Sequence, residues 1–144
     1  MNQQHYKSHV LKDIVLAIVY GLLYCGLEIL FRGRTHWTMA CLGAVCGVVI
    51  GELNSHLPWD ISLLAQGIIG SVIVTVLEFI TGLIVNVWLC WDVWDYSDLP
   101  FNIMGQICLP FSILWVGVSI IVVVLDDWLR YWWWGEDKPH YRII

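Results

Sequence analysis

Charge is what this chain has least of. Lysine, arginine, aspartate and glutamate make up 13% of its 144 residues, where a soluble domain carries roughly 25%. Hydrophobic residues make up 59% and the mean hydropathy is +0.73. So little polar surface cannot cover a water-soluble globule, so the class is integral membrane protein, of one domain at this length. Basic side chains are scarcest, 7 against 12 acidic ones for a net charge of -5, which argues against a nucleic-acid partner. No CxxC pair occurs. Cys25, Cys41, Cys46, Cys90 and Cys108 mostly sit in apolar runs and read as small membrane hydrophobes, not disulfide partners or metal ligands. The first dozen residues are polar and no small-residue cleavage pattern follows Phe31, so a cleavable signal peptide is not expected. There is no phosphate-cradling GxxxxGK[ST] loop. No nucleophile–base spacing or metal signature stands out, so an enzyme is the least favoured class; its most plausible form is lipid modification by His36 and Glu28 at the outer surface. No cofactor is implied.

What is present is four apolar stretches. A helix crosses a bilayer with about 20 apolar residues. The first stretch runs from about Ile14 to Phe31 and the second, a short one, from about Trp37 to Leu53. The third runs from Ile61 to about Trp91, longer than one crossing needs, so it is expected to be tilted or broken. The fourth runs from about Asn102 to Leu125, with a kink expected at Pro110. The expected architecture is all-α: a four-span transmembrane domain over residues 1–131 and a short cytoplasmic tail over 132–144.

Four spans place both ends on one side. Lys7, Lys12, Arg130, Lys138 and Arg142 lie near the ends, while residues 91–100 carry Asp92, Asp95 and Asp98 and no base. The positive-inside rule puts both termini in the cytoplasm of a multi-pass protein of the inner (cytoplasmic) membrane, with 91–100 outside. Arg32 and Arg34 then fall on the outer side, against the rule, unless Arg32 has an intramembrane partner. Trp88, Trp91 and Trp94, and the group Trp128, Trp132, Trp133 and Trp134, suit interfacial belts. Gly43, Gly47 and Gly51 form a small-xxx-small ladder on one face of span 2, either for packing within one subunit or as a homodimer face, which would make the protein a homo-oligomer.

Polar residues inside apolar runs carry the functional information, since a charge at the bilayer centre costs roughly 2.5–3.5 kcal/mol on insertion scales. Glu28 and Arg32 are spaced for an i,i+4 ion pair, which is structural or else a gate or an anion-coordinating arginine. Glu78 stands in TVLEFITG with no base nearby in sequence. A lone intramembrane glutamate is a proton or cation site, or else is bonded to another span, Arg32 being the candidate. Asn86 lies two turns on, with Gly82 between them. Asn102 and Gln106, four apart, would share a face of span 4 and line a polar path with Glu78 and Asn86, or else act as interhelical glue. Glu52 and Asn54, at the end of span 2, are expected to meet water and are given no role. His36, beside Trp37, has no HxxxH or HxxE partner, so no metal site is implied.

The segment WDVWDYSDLP, residues 91–100, alternates carboxylates and rings. Asp98 can cap a helix starting near Leu99 with Pro100 in its first turn. Trp91, Trp94 and Tyr96 can form a belt, and Asp92 and Asp95 beside indole rings suit an organic cation. Together with His36 these residues mark a candidate outer entrance.

Four motifs, RGRTHWTM (32–39), LEFITGLIVNVW (77–88), WDYSDLPFNIMGQICLPFSILW (94–115) and LDDWLRY (125–131), closely resemble the CmpB-like family of small bacterial membrane proteins, which carries a type IV ABC-transporter label. The resemblance extends from span 1 to Tyr131. Glu28, Arg32, His36, Trp37, Glu78, Asn86, Asp95, Asn102 and Gln106 fall on its motif positions. Arg34 stands where the family has an aromatic, and Asp98 where it has asparagine. The resemblance implies a transport-type protein; without a phosphate-cradling loop, its ATPase would be a separate subunit. Two functions follow as expectations. One is a membrane protein of transport type, such as a permease subunit with a separate ATPase, that moves or gates a small solute or cation through a polar site. The other is a non-transporting scaffold or sensor acting through a partner protein.

Overall fold

The computed structural model describes residues 3–58 and 60–144, with side chains from residue 9 onward. Lys7, counted in the charge bias above, therefore has its side chain outside the described residues. Helix α1 is Gln3–Arg32, α2 Trp37–Gly51, α3 the single turn Leu53–His56, α4 Leu63–Gly82 and α5 Leu109–Trp134; a π-helical segment, Leu83–Trp88, prolongs α4. Among the described residues there is no strand, only an isolated antiparallel bridge between Ile103 and Ile107. Among the described residues, four stretches are long and apolar enough to cross a membrane: His9–Arg32, Trp37–His56, Leu63–Trp88 and Leu109–Trp134. The protein is an all-helical, multi-pass membrane protein. Its chain forms two compact units, one ending at Val49 and the other spanning Ile50–Ile144.

In the first unit, α1 stops at Gly33, whose φ of +69° is left-handed and whose N–H bonds the Ile29 carbonyl at 2.9 Å; glycine carries no Cβ penalty there. Two glycines of the ladder, Gly43 and Gly47, work within this unit. A Cβ on Gly43 would lie 2.6 Å from the Tyr24 side chain, and one on Gly47 would lie 2.3 Å from that of Tyr20. Both tyrosines belong to α1, so these two glycines let α2 rest directly on them. The dimer-face reading loses this part of its support.

In the second unit, α4 starts at Ser62, whose hydroxyl accepts from Ala65 N at 3.2 Å, a side-chain N-cap. The Arg142 carbonyl accepts the Leu63 N–H at 2.7 Å, so residues near 142 satisfy a donor that the first helical turn leaves open. Helices α4 and α5 then pack side by side along a stripe of small residues. A Cβ on Gly67 would meet Ile120 at 2.6 Å, and one on Gly70 would meet Ser119 at 2.6 Å. Ser71 and Thr75 both bond Ser112, at 2.5 Å to its carbonyl and 3.0 Å to its hydroxyl respectively.

The fourth span departs from the sequence expectation. Helix α5 begins at Leu109, not near Leu99 or Asn102, and runs on to Trp134. Pro110 sits in its first turn, where proline's missing N–H leaves no gap, and not at a mid-span kink. Asp98 caps no helix. Left-handed backbone at Phe101, Met104 and Gly105, with φ of 52°, 54° and 70°, keeps residues 99–108 out of a helix. Helix α5 closes at Gly135, at φ +65°, whose N–H bonds Tyr131 O at 3.0 Å.

Candidate functional site

The long third span brings Glu78 to the α4–α5 seam, where it is only 1% exposed. Both carboxylate oxygens are engaged. Tyr96 donates its hydroxyl to Oε1 at 3.0 Å, and Trp115 donates its indole N–H to Oε2 at 3.1 Å. Both donors are neutral, and no ion pair reaches Glu78 among the described residues. Tyr96 is held in turn by stacking on Phe111, with centroids 4.7 Å apart, and by its N–H on the Gly105 carbonyl at 2.8 Å.

The connection between the π-helical segment and α5, residues 89–108, is a built element. Asn86 donates to Gln106 Oε1 at 2.8 Å and accepts from Val93 N at 2.7 Å. Gln106 donates to the Met104 carbonyl at 2.9 Å, and its own carbonyl receives the Trp94 indole at 3.0 Å. Gly82 makes room for this knot: a Cβ there would lie 2.5 Å from Gln106 Oε1 and 3.1 Å from the Trp94 ring. Asn102 shares no helix face with Gln106. It bonds the Ser97 and Leu99 carbonyls at 3.1 and 2.9 Å and accepts from Gly105 N at 3.1 Å, closing a turn.

The residues assigned to an outer entrance divide. Trp94 is 2% exposed, an anchor and not a belt residue. Asp95 takes the Ser97 N–H at 2.8 Å and its hydroxyl at 2.5 Å, and these bonds hold its carboxyl below the usual aspartate range. Tyr96 turns inward to Glu78. Trp91 and Asp92 stay at the surface, Asp92 on left-handed backbone at φ +51°.

In the first unit, Glu28 is 7% exposed and pairs with Arg32 at 2.8 Å. It also receives the Thr35 hydroxyl at 2.7 Å, a partner the sequence did not single out. His36 Nδ1 lies 2.8 Å from the Thr38 hydroxyl, and its ring tilts on Trp37 at 5.7 Å.

Sequence reasoning missed a second polar cluster. Asp126 and Arg130 are 0% and 4% exposed and pair at 2.6 Å, while Arg130 also reaches Glu52 at 3.1 Å. Asn54 donates to Asp127 at 2.6 Å. Glu52 and Asn54, expected merely to meet water, are thus tied to α5. Gly51 admits the cluster: a Cβ there would lie 2.4 Å from the Asp126 carboxyl. The signal was the i,i+4 spacing of Asp126 and Arg130, hidden because the fourth span was ended at Leu125. Burial and the Asp127 carboxylate push the Tyr141 phenol well above the usual tyrosine range.

Residues 15–134 match the model of the CmpB-like family, described as "Putative ABC-transporter type IV". No curated protein and no solved structure matches the chain.

Proposed function

The chain belongs to this ABC-transporter-related membrane family, and from that premise we propose that it is the membrane-embedded part of a transport system, with Glu78 as the intramembrane group that carries a proton or a small cation. The observation behind this reading is the Glu78 setting itself. A carboxyl group 1% exposed and met by two neutral donors, with no ion pair among the described residues, supports a group that can take up a proton or a small cation. Asn86, Asn102 and Gln106 act through the 89–108 element, which holds Tyr96 against Glu78. Glu28 and Arg32 form a second polar station, and Trp91, Asp92 and Asp95 form the outer approach. The ABC-transporter label of the family supports an ATPase partner as the source of energy. Both termini face the cytoplasm, in a bacterial inner membrane.

Two measurements test this. Mild-detergent purification from the native host, with mass spectrometry of co-eluting chains, should recover an ATPase at fixed ratio. In liposomes holding the recovered assembly, Glu78→Gln should abolish solute or cation movement while its elution volume stays unchanged. Unchanged movement in Glu78→Gln would remove Glu78 from the pathway.

A scaffold or sensor acting through a partner protein is the second reading. It is favoured by one observation: the side-chain bonds of Asn86, Asn102 and Gln106 all serve to shape a loop. On that reading a non-ATPase partner co-elutes at fixed ratio, and no variant moves solute.

A further inference from the structure

The two partners of the Glu78 carboxyl differ in what they can do. Trp115 reaches Oε2 at 3.1 Å from α5, and Tyr96 reaches Oε1 at 3.0 Å from the 89–108 segment. An indole N–H can only donate. A phenol oxygen donates one hydrogen and also accepts through its lone pairs. Only the Oε1 side of the carboxyl therefore has a partner that serves both its charged and its protonated form.

That difference decides where a hydrogen fits. On Oε2 the indole offers it no acceptor, and a buried hydroxyl without an acceptor costs free energy. On Oε1 it is donated to the Tyr96 oxygen, with the phenol hydrogen turned aside. No heavy atom has to move. The Tyr96 oxygen is held in place for this. Its ring stacks on Phe111 with centroids 4.7 Å apart, and its backbone N–H bonds the Gly105 carbonyl at 2.8 Å. Tyr96 is half-buried where Glu78 is buried, so the residue that touches Oε1 also has surface of its own.

The same setting selects among cargoes. Both partners aim hydrogens at the carboxylate, and no charged side chain bonds it among the described residues. A hard metal ion takes about six oxygen ligands, and the Tyr96 hydroxyl is the one oxygen bonded to Glu78. Among the described residues, no three His, Cys, Asp or Glu side chains converge as metal ligands. A metal or organic cation on the carboxylate has to displace these donors. A proton only reverses one bond.

Resting on the reading of Glu78 as the intramembrane carrier, we propose that its cargo is the proton, taken up at Oε1 through the Tyr96 hydroxyl. The step balances. A hydronium ion gives a proton to a lone pair of the Tyr96 oxygen, the existing phenol O–H bond breaks, and the released hydrogen bonds to Oε1. Water, a neutral phenol and a neutral Glu78 result. The bond between the two residues then runs from Oε1–H to the Tyr96 oxygen.

The test uses the full chain in detergent micelles, with infrared spectroscopy of protonated carboxyl groups after a rapid drop in pH. One component of the acid-minus-alkaline carboxyl signal should be present in the parent and missing in Glu78→Gln. Sodium, magnesium and tetraphenylphosphonium, each at matched ionic strength, should leave that component of the parent unchanged. Tyr96→Phe and Trp115→Phe each take one donor from the carboxylate, but only the first also takes away an acceptor. Tyr96→Phe should therefore slow the appearance of the component at least about tenfold, with Trp115→Phe close to the parent. Equal slowing in the two variants would make Tyr96 a structural prop and overturn the relay. An unslowed Tyr96→Phe, a signal identical in parent and Glu78→Gln, or a component that any of the three cations removes would overturn it too. Removal by a cation leaves Glu78 a carrier, with that cation as cargo. The carrier reading fails separately, if Glu78→Gln moves solute in liposomes as well as the parent does.

Discussion

Asn86 donates its side-chain amide to Gln106 Oε1 at 2.8 Å across twenty residues of chain. This one bond joins the end of the third span to the segment leading into the fourth. It also sets the place of Trp94, whose indole rests on the Gln106 carbonyl, and through Gly105 that of Tyr96. Replacing Gln106 by leucine should leave the Asn86 amide without its acceptor and cost on the order of 1–3 kcal/mol. The thermal midpoint in detergent should fall, and protease should cut within residues 89–108 sooner than in the parent. An unchanged midpoint and cleavage rate would mean that the knot does not hold the loop.

Glycine positions give a sharper contrast. Gly70→Ala would set a Cβ 2.6 Å from Ser119, and an overpacked seam costs about 1–3 kcal/mol. The serine side chain is the obstacle, so Ser119→Gly in the same chain should restore most of the loss. Gly26 has nothing within 4 Å of its would-be Cβ, so Gly26→Ala should be neutral or slightly stabilising, as expected for alanine in a helix. Thermal midpoints of the four proteins check the pattern. A similar loss for Gly26→Ala and Gly70→Ala would mean that the α4–α5 approach is not the cause.

The number of spans and the informative polar residues were legible in the sequence because apolar length and misplaced charge are local signals. Glu78 needed only its own neighbours to be singled out. What it bonds was not legible: Tyr96 and Trp115 lie 18 and 37 residues away, and each also reads as an ordinary membrane aromatic. The start of the fourth span was misplaced for a physical reason. Asn102 and Gln106 have helical spacing, and Asp98-Leu99-Pro100 looks like a helix start. Both signals yield to left-handed backbone at Phe101 and Met104, which no residue-type preference announces. The Asp126–Arg130 cluster was lost with the same boundary, since a span ended at Leu125 leaves those charges in water.

Acid should loosen the 95–105 turn. Asp95 is held as a carboxylate by the Ser97 N–H and hydroxyl, so its folded pKa lies below the ordinary aspartate value. A depressed carboxylate contributes its full stabilisation above the unfolded pKa and loses it as pH falls through the folded one. Hydrogen exchange at the Ser97 amide, corrected for intrinsic rate, should therefore be slow at about pH 5 and accelerate as pH drops below about 3.9. Asp95→Asn should show fast exchange at both ends. Protection independent of pH in the parent would mean that the carboxylate is not the acceptor that closes the turn.

Arg130 and Asp126 should behave as a coupled pair. Both are buried, at 4% and 0% exposure, and they meet at 2.6 Å. Arg130→Met removes the cation that faces both Asp126 and Glu52, and breaking one side of a buried pair costs about 3–5 kcal/mol. Asp126→Leu alone is milder, because Arg130 keeps Glu52 at 3.1 Å. The double variant removes both charges from the interior and should recover most of the loss, since apolar replacements of buried pairs are often neutral. A double-mutant cycle on the denaturation midpoint gives the coupling directly. A coupling near zero would mean that water reaches the pair and that Gly51, which makes room for the Asp126 carboxyl, serves backbone approach alone.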